Sequence, residues 1–225
     1  MRLDVFTLFP EHFEWFVGQR HISNALAAGS EINLVNYRDS TPLSGGQVDD
    51  APYGGGAGMV LKPEPLAACI EALQKENKAD EVIYLSPDGE QFSQRLATGL
   101  SLRDRIILIC GHYKGIDERI RSLYVTREIS IGDYVLTGGE LPALVVIDTV
   151  VRLLPGVLND GESLLTDSFQ NDLLGAPCYT RPVEFHGLHV PEVLLNGNHE
   201  EIARWRAAEQ QERTLRRRKD LLEPS

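Results

Sequence analysis

The apolar positions of the chain fall into short continuous runs and longer stretches of helical spacing, and the two take turns. Leu3–Leu8 reads as a strand ending at Pro10. Glu11–Ala28 places Phe13, Phe16, Val17, Ile22 and Leu26 on one helical face, with Gly29 suited to its stop. Glu31–Asn36 is a second strand. Further along, Glu64–Lys75 predicts a helix, Glu81–Ser86 a strand, Gln91–Leu100 a weaker helix, Arg105–Cys110 a buried strand and Ile116–Tyr124 a short helix. Glu128–Ile131 ends one more short strand. The apolar run Glu140–Leu154 then forms a helix, with Pro142 in the first turn, where no intrahelical donor is lost. Strands alternating with helices predict an α/β fold, a mostly parallel sheet covered on both faces.

After Pro155 the pattern changes. Residues 1–158 read as the sheet domain, the polar, turn-rich residues 159–172 as a linker, and 173–225 as a small, mainly helical C-terminal domain. In that last part Asn198, followed three positions later by Glu201, resembles a capping box, and Ala203–Leu222 continues as a basic helix. Asp39–Gly58, between strand and helix, is a loop long enough to suggest function or disorder.

With 225 residues, 42% of them hydrophobic, the chain can bury an ordinary core. Its net charge of −11 argues against nonspecific nucleic-acid binding by the molecule as a whole. Between Arg204 and Lys219, however, seven basic residues face two acidic ones. Such a tail can touch phosphates or be only a solvated helix face, and charge alone favours the latter. Cys69, Cys110 and Cys178 are widely spaced without a CxxC, which points to a reducing compartment rather than a disulfide framework or zinc site. The N-terminus lacks the features of a signal peptide, and Leu141–Leu154 is too short for a bilayer and carries Asp148 and Arg152. A cytoplasmic location without a membrane partner is expected.

The chemistry concentrates in loops. In Arg127–Gly139, REISIGDYVLTGG, Gly132 breaks the strand and Gly138-Gly139 frees the backbone before the next helix. Amides of such a strand–loop–helix start can face a small cofactor closely. Cys110-Gly-His-Tyr-Lys-Gly115 and Tyr84-Leu-Ser-Pro87 also follow strands, at the carboxyl ends where open α/β sheets bind ligands. Tyr53-Gly-Gly-Gly-Ala-Gly-Met59 matches no phosphate-loop pattern; it is either a bare backbone against a flat ligand or a flexible turn. Asp148 and Arg152, four apart, suggest an ion pair on one helix, although Arg152 could instead face a reacting group. Asp167 suits a helix cap for Phe169–Leu174, or a general base on a mobile linker, with the cap favoured by pattern. His186, His189 and His199 have no fourth ligand at metal-site spacing, so no metal site is expected.

Taken together, these residues closely resemble the bacterial tRNA (guanine-N1)-methyltransferase family, the TrmD type. The motifs run nearly end to end: Thr7–Pro10, Pro52–Met59, Tyr84–Pro87, Gly115–Arg119, Glu128–Glu140, Arg152, Pro155-Gly156, Asp167–Phe169, Tyr179–Pro182, Val190-Pro191, and Asn198-His199 leading to Trp205-Arg206. The resemblance implies a SPOUT α/β fold whose sheet domain carries a deep trefoil knot, and a homodimer with active sites shared between subunits. It implies methyl transfer from S-adenosylmethionine to N1 of the tRNA guanine just 3′ of the anticodon, protecting reading frame.

On this resemblance Tyr84, Leu85, Ser86, Pro87, Gly111, Tyr113, Gly115, Ile131, Gly132, Asp133, Tyr134, Val135, Leu136, Gly138 and Gly139 would hold the cofactor. Asp167 would be the base and Arg152 the stabilising cation. Tyr53, Gly54, Gly55, Gly56, Gly58, Met59, Ser168 and Arg181 would bind substrate, and Arg204–Lys219 the tRNA backbone. Magnesium is compatible with the chemistry but no residue pattern announces it. The family commonly has Glu where Lys114 stands, and Asp and often His where Gly175 and Cys178 stand. Rival readings are a SPOUT enzyme for another RNA position, a non-catalytic tRNA-binding module and, more weakly, a nucleotide-phosphate enzyme.

Overall fold

A computed structural model describes residues 1–158 and 166–222. The chain divides into two compact units, Met1–Asn159 and Asp160–Ser225. The first holds strands β1 (Arg2–Thr7), β2 (Glu31–Asn36), β3 (Asp49–Asp50), β4 (Val60–Leu61), β5 (Glu81–Gln91), β6 (Arg105–Cys110) and β7 (Arg127–Ser130). Its helices are α1 (Glu14–Val17), α2 (Arg20–Ala27), α3 (Pro63–Glu76), α4 (Gln94–Ser101), α5 (Glu118–Tyr124) and α6 (Glu140–Val151).

Five strands form one sheet in the order β2-β1-β6-β5-β7, every neighbouring pair parallel. The alternation of side chains along a strand sorts the core into two layers. Leu3, Val5, Leu108 and Cys110 pack with Phe13, Phe16, Ile22 and the α6 residues Ala143, Ile147 and Val150. Phe6, Ile107, Ile109 and Tyr84 pack with Leu66, Ile70, Ile116 and Ile120 on the other side. All six residues of β6 are buried, as a central parallel strand covered on both faces requires.

Two elements depart from expectation. Glu11–Ala28 is not one helix: a 3-10 turn at Pro10–Phe13 and α1 end at Gly18, and Gln19 is extended before α2 begins. The apolar spacing survives the break because Phe13, Phe16 and Ile22 all still reach the core. β5 runs past Ser86 to Gln91, and an irregularity lets Ile129 of β7 pair with both Leu85 and Glu90. Within the long loop, β3 and β4 pair as a short antiparallel ribbon.

A buried ion pair ties the sheet together. Asp4 on β1 is fully buried; its carboxylate accepts from Arg105 Nε on β6 at 2.8 Å, Arg2 Nε at 3.0 Å and Asn33 Nδ2 on β2 at 2.9 Å. Arg105 Nη1 in turn donates to the carbonyls of Leu73 and Asn77 at the end of α3.

The second unit contains a hairpin, β8 (Glu184–Phe185) with β9 (Leu188–His189), and the helix α7 (His199–Arg217). The hairpin strands are too short for a visible alternation, and its turn is carried by His186 and Gly187, both at positive φ. Asn198 caps α7 as expected, its Oδ1 accepting from the amides of Glu200 and Glu201. Of the expected linker 159–172, residues 159–165 lie outside the described residues. Replacing Asp4 by alanine should cost about 3–5 kcal/mol, because it strands the Arg105 guanidinium in the core. Urea unfolding monitored by circular dichroism measures this as a lower midpoint with little change in slope.

Candidate active site

Because β6, β5 and β7 are adjacent and parallel, their carboxyl ends lie side by side. Tyr84–Asp88, within β5 at its irregularity, encloses a cavity of about 360 Å³ together with Gly111–Ile116 after β6 and Ile129–Gly139 at the end of β7, large enough for a small-molecule ligand. Every residue expected to hold the cofactor lines it except Asp133. Asp133 is exposed within a tight turn in which the Tyr134 amide donates to Gly132 O at 2.9 Å. Asp88, His112, Lys114, Arg121, Ser130, Thr137 and Pro142 line the cavity as well. Most of them flank or fall inside the segments the pattern singles out; Arg121 is brought in by α5 from outside them.

The floor is backbone against backbone. The Gly139 amide donates to Gly111 O at 2.9 Å, and His112 and Gly138 form an antiparallel bridge. A Cβ on Gly139 would stand 2.6 Å from Cys110 Cα, and one on Gly138 would stand 2.4 Å from His112 Cε1, so both positions exclude a side chain. Tyr84 is nearly buried and lies against Gly111. It supports the loop, and burial raises its phenol pKa. Arg121, 5.7 Å from the Tyr84 ring centroid, is held by Glu128 at 2.7 and 2.8 Å and by Asp88 at 3.1 Å.

The glycine-rich loop joins the same wall. Tyr53 and Gly54–Gly58 are exposed, but the strand that follows is fastened to the segment after β6. The Lys114 amide donates to Met59 O at 2.9 Å, Leu61 N to Gly115 O at 3.0 Å and Asp117 N to Leu61 O at 3.0 Å. The Lys114 stem packs over Gly58.

Arg152 stands at the C-terminal cap of α6, its amide donating to Asp148 O at 3.3 Å. Asp148 turns instead to α2, where its Oδ1 lies 2.8 Å from His21 Nε2, a close contact without hydrogen-bond alignment. Asp167, Ser168 and Arg181 belong to the second unit. Residues 169–173 form turns, with Phe169 N donating to Leu173 O at 2.7 Å, so the helix that Asp167 was expected to cap is not there. Ser168 Oγ accepts from the Gly175 amide at 2.9 Å, while Arg181 and Cys178 are exposed. Among the described residues, no three His, Cys, Asp or Glu side chains group as a metal site.

Residues 1–224 match the family described as tRNA (guanine-1)-methyltransferase TrmD. The chain belongs to this family. A tRNA (guanine-N(1)-)-methyltransferase of Chlorobaculum tepidum is 53% identical over 223 residues, covering 99% of this chain and 97% of that one. Relatives of the same name from Chlorobium chlorochromatii and Bacteroides fragilis are 55% and 52% identical, with 97% and 100% of their own lengths covered. Each match spans 99% of this chain, so the family resemblance includes both units.

Burial also sets the acid–base behaviour beneath the cavity. Desolvation raises the thiol of Cys110 and the phenols of Tyr37 and Tyr84 above their ordinary values of 9.0 and 10.0. These groups carry no penalty below those values; above them the unfolded chain releases protons that the native state retains, so stability falls as pH rises. Unfolding midpoints measured in urea should therefore decline above the ordinary thiol value. Native protein should label rapidly with a thiol reagent at Cys178 and slowly at the buried Cys69 and Cys110.

Proposed function

We propose that the cavity between the middle of β5 and the ends of β6 and β7 binds S-adenosylmethionine. As a member of the family, the chain is a tRNA (guanine-N1)-methyltransferase. The observation that carries the cofactor reading is the glycine floor at Gly111, Gly138 and Gly139, where bare backbone faces the cavity. The lining suits the group. Backbone amides and carbonyls can hold an adenine edge and ribose, the apolar Leu85, Pro87, Ile131 and Leu136 can take the base, and Tyr113 and Tyr134 offer ring faces for a cation. S-adenosylmethionine, when bound, supplies an electrophilic methyl group on a sulfonium.

The chain's own residues have three roles. Guanine N1 bears a proton, and the N1–H bond must break as the new N1–C bond forms. Asp167 accepts that proton, a contribution of about 10²–10⁴-fold for a positioned base. Negative charge then builds on the guanine O6, and the Arg152 guanidinium offsets it. Tyr53–Met59 and Ser168 hold the guanine, Arg181 and the exposed arginines of α7 hold tRNA phosphates, and the guanine lies next to the anticodon on its 3′ side. Its methylation protects reading frame.

The SPOUT knot fits the path of the chain. After β7 it returns over the end of β6, where Gly139 bonds Gly111, before entering α6. A homodimer with shared sites fits an apolar stripe on α6: Leu141 and Val145 are exposed at 59% and 42% beside Trp15 at 62%. The groove they form with Leu144 also includes Ile131, Tyr134 and Leu136, which line the cofactor cavity. A second copy seated there would close the cavity mouth. No helix among the described residues is long and apolar enough to cross a membrane, and we place the enzyme with its tRNA in the cytoplasm.

Asp167→Ala should lower single-turnover methyl transfer by at least about a hundredfold while calorimetry shows S-adenosylmethionine uptake intact; unchanged turnover would remove Asp167 from the mechanism. Transcripts with the guanine beside the anticodon replaced should accept no methyl group. Val145→Asp should shift the protein to a monomer in sedimentation experiments and lower activity, and a dimer that persists would move the interface elsewhere.

A further inference from the structure

Thr7, Phe9, His112 and Glu140 contact neither the guanine nor the tRNA in the mechanism above, yet they meet where His112 lines the cavity. Glu140, the first residue of α6, is 5% exposed, and Thr7, the last residue of β1, is fully buried. Thr7 Oγ1 lies 2.6 Å from Glu140 Oε1, and His112 Nε2 lies 2.8 Å from Glu140 Oε2. The Phe9 amide donates to Thr7 Oγ1 at 2.9 Å, so the hydroxyl's own hydrogen points to the carboxylate. The Phe9 ring meets His112 edge-on, with centroids 4.9 Å apart. His112 and Glu140 together fill the place a Gly138 side chain would take: a Cβ there would stand 2.4 Å from His112 Cε1 and 2.5 Å from Glu140 Oε2.

We propose that Glu140 is a positioning residue for the cofactor, its carboxylate holding Thr7 and His112 together so that Gly138 and Gly139 stay pressed against the end of β6. The inference rests on the reading that this cavity takes S-adenosylmethionine. It gives the Thr7–Pro10 segment a structural role, since that segment touches Glu140 through Thr7 and His112 through Phe9. Each carboxylate oxygen has a hydrogen-bond partner, as a buried acid requires. Without it, the His112 ring and the glycine pair lose their common tether, and the amides lining the cavity move relative to one another. Cofactor affinity falls, while the methyl-transfer step, carried by Asp167 and Arg152, is left to proceed once the cavity is filled.

The glutamine variant separates this tether from mere charge. Glu140→Gln can accept from Thr7 through its oxygen and donate to His112 through its amide, with the imidazole in the other tautomer. The test is calorimetric titration of the full-length protein with S-adenosylmethionine, alongside methyl transfer to tRNA at saturating cofactor, for Glu140→Ala, Glu140→Gln and Thr7→Val. Glu140→Ala and Thr7→Val should bind the cofactor at least about tenfold more weakly, as expected when ligand-contacting backbone is displaced, with kcat at saturation little changed. Glu140→Gln should return binding close to wild type. Amide hydrogen exchange at Gly138 and Gly139 should quicken in the first and third variants.

Thr7→Val, nearly the same shape as the native residue, decides the matter if Glu140→Ala fails to fold. Wild-type affinity in folded Thr7→Val or Glu140→Ala overturns the proposal, as does a glutamine variant no better than alanine. Wild-type protein that takes up no S-adenosylmethionine fails the cavity assignment instead, which is a distinct result.

Discussion

The site depends on one close approach, where the chain leaving β7 lies on the chain leaving β6. Gly139 bonds Gly111 through the backbone, and the space between Gly139 and Cys110 leaves no room for a methyl group. Two polypeptide segments remote in sequence are thereby held at hydrogen-bonding distance, and the cavity is the gap above the contact. A loop on its own samples many conformations and loses entropy when a ligand orders it. Here the ordering is done in folding, by α6 entering the core on Ala143, Ile147 and Val150 directly after the glycine pair. The long apolar helix and the bare glycine loop are two halves of one device: the helix supplies the burial that holds the loop down.

Polar groups under the floor are arranged by the same logic. A buried carboxylate such as Glu140 costs several kcal/mol of desolvation unless donors surround it. It is met by Thr7 and His112 and sits in the first turn of α6, where the helix dipole favours negative charge. Asp4 shows a parallel solution at the opposite ends of β1 and β6, with donors from Arg2, Asn33 and Arg105. The sheet is therefore pinned by buried acid groups near both ends of β1.

Much of this is legible in the amino-acid sequence itself. The alternation of apolar runs with helical spacing predicts a parallel sheet covered on two faces, and the three strand ends at Ser86, Cys110 and Ile131 mark the segments that converge. Three such loops in one chain already point to a shared pocket, but the order of the strands is not legible, because long-range pairing sets it and periodicity does not encode it: β7 adds beside β5, not beside β6. The break at Gly18-Gln19 escaped for a different reason, since both helical pieces keep their apolar faces inward and the pattern continues across it. Asp148 and Arg152 satisfy the spacing of a helical ion pair, yet α2 brings His21 to the aspartate first, a tertiary contact overriding a local one. Thr7 and Glu140 carried a family motif, but their partnership spans 133 positions and only the fold reveals it.

The charge distribution completes the physical picture of an acidic enzyme that handles RNA. A net charge of −11 repels polyanions at long range, but beyond a Debye length of about 8 Å at physiological salt that repulsion is largely screened. Contact is decided locally. On α7, Arg204, Arg206, Arg216 and Arg217 are exposed. Arg204 is shared with Glu200 at 2.9 Å, and the adjoining Arg218 with Asp220 at 2.6 Å. Exposed pairs of this kind are screened by solvent and contribute little, so a phosphate can replace the carboxylate at little cost. The acidic body thus disfavours casual adsorption of nucleic acid, while the exposed guanidinium groups of α7 form a local cationic surface suited to a phosphate.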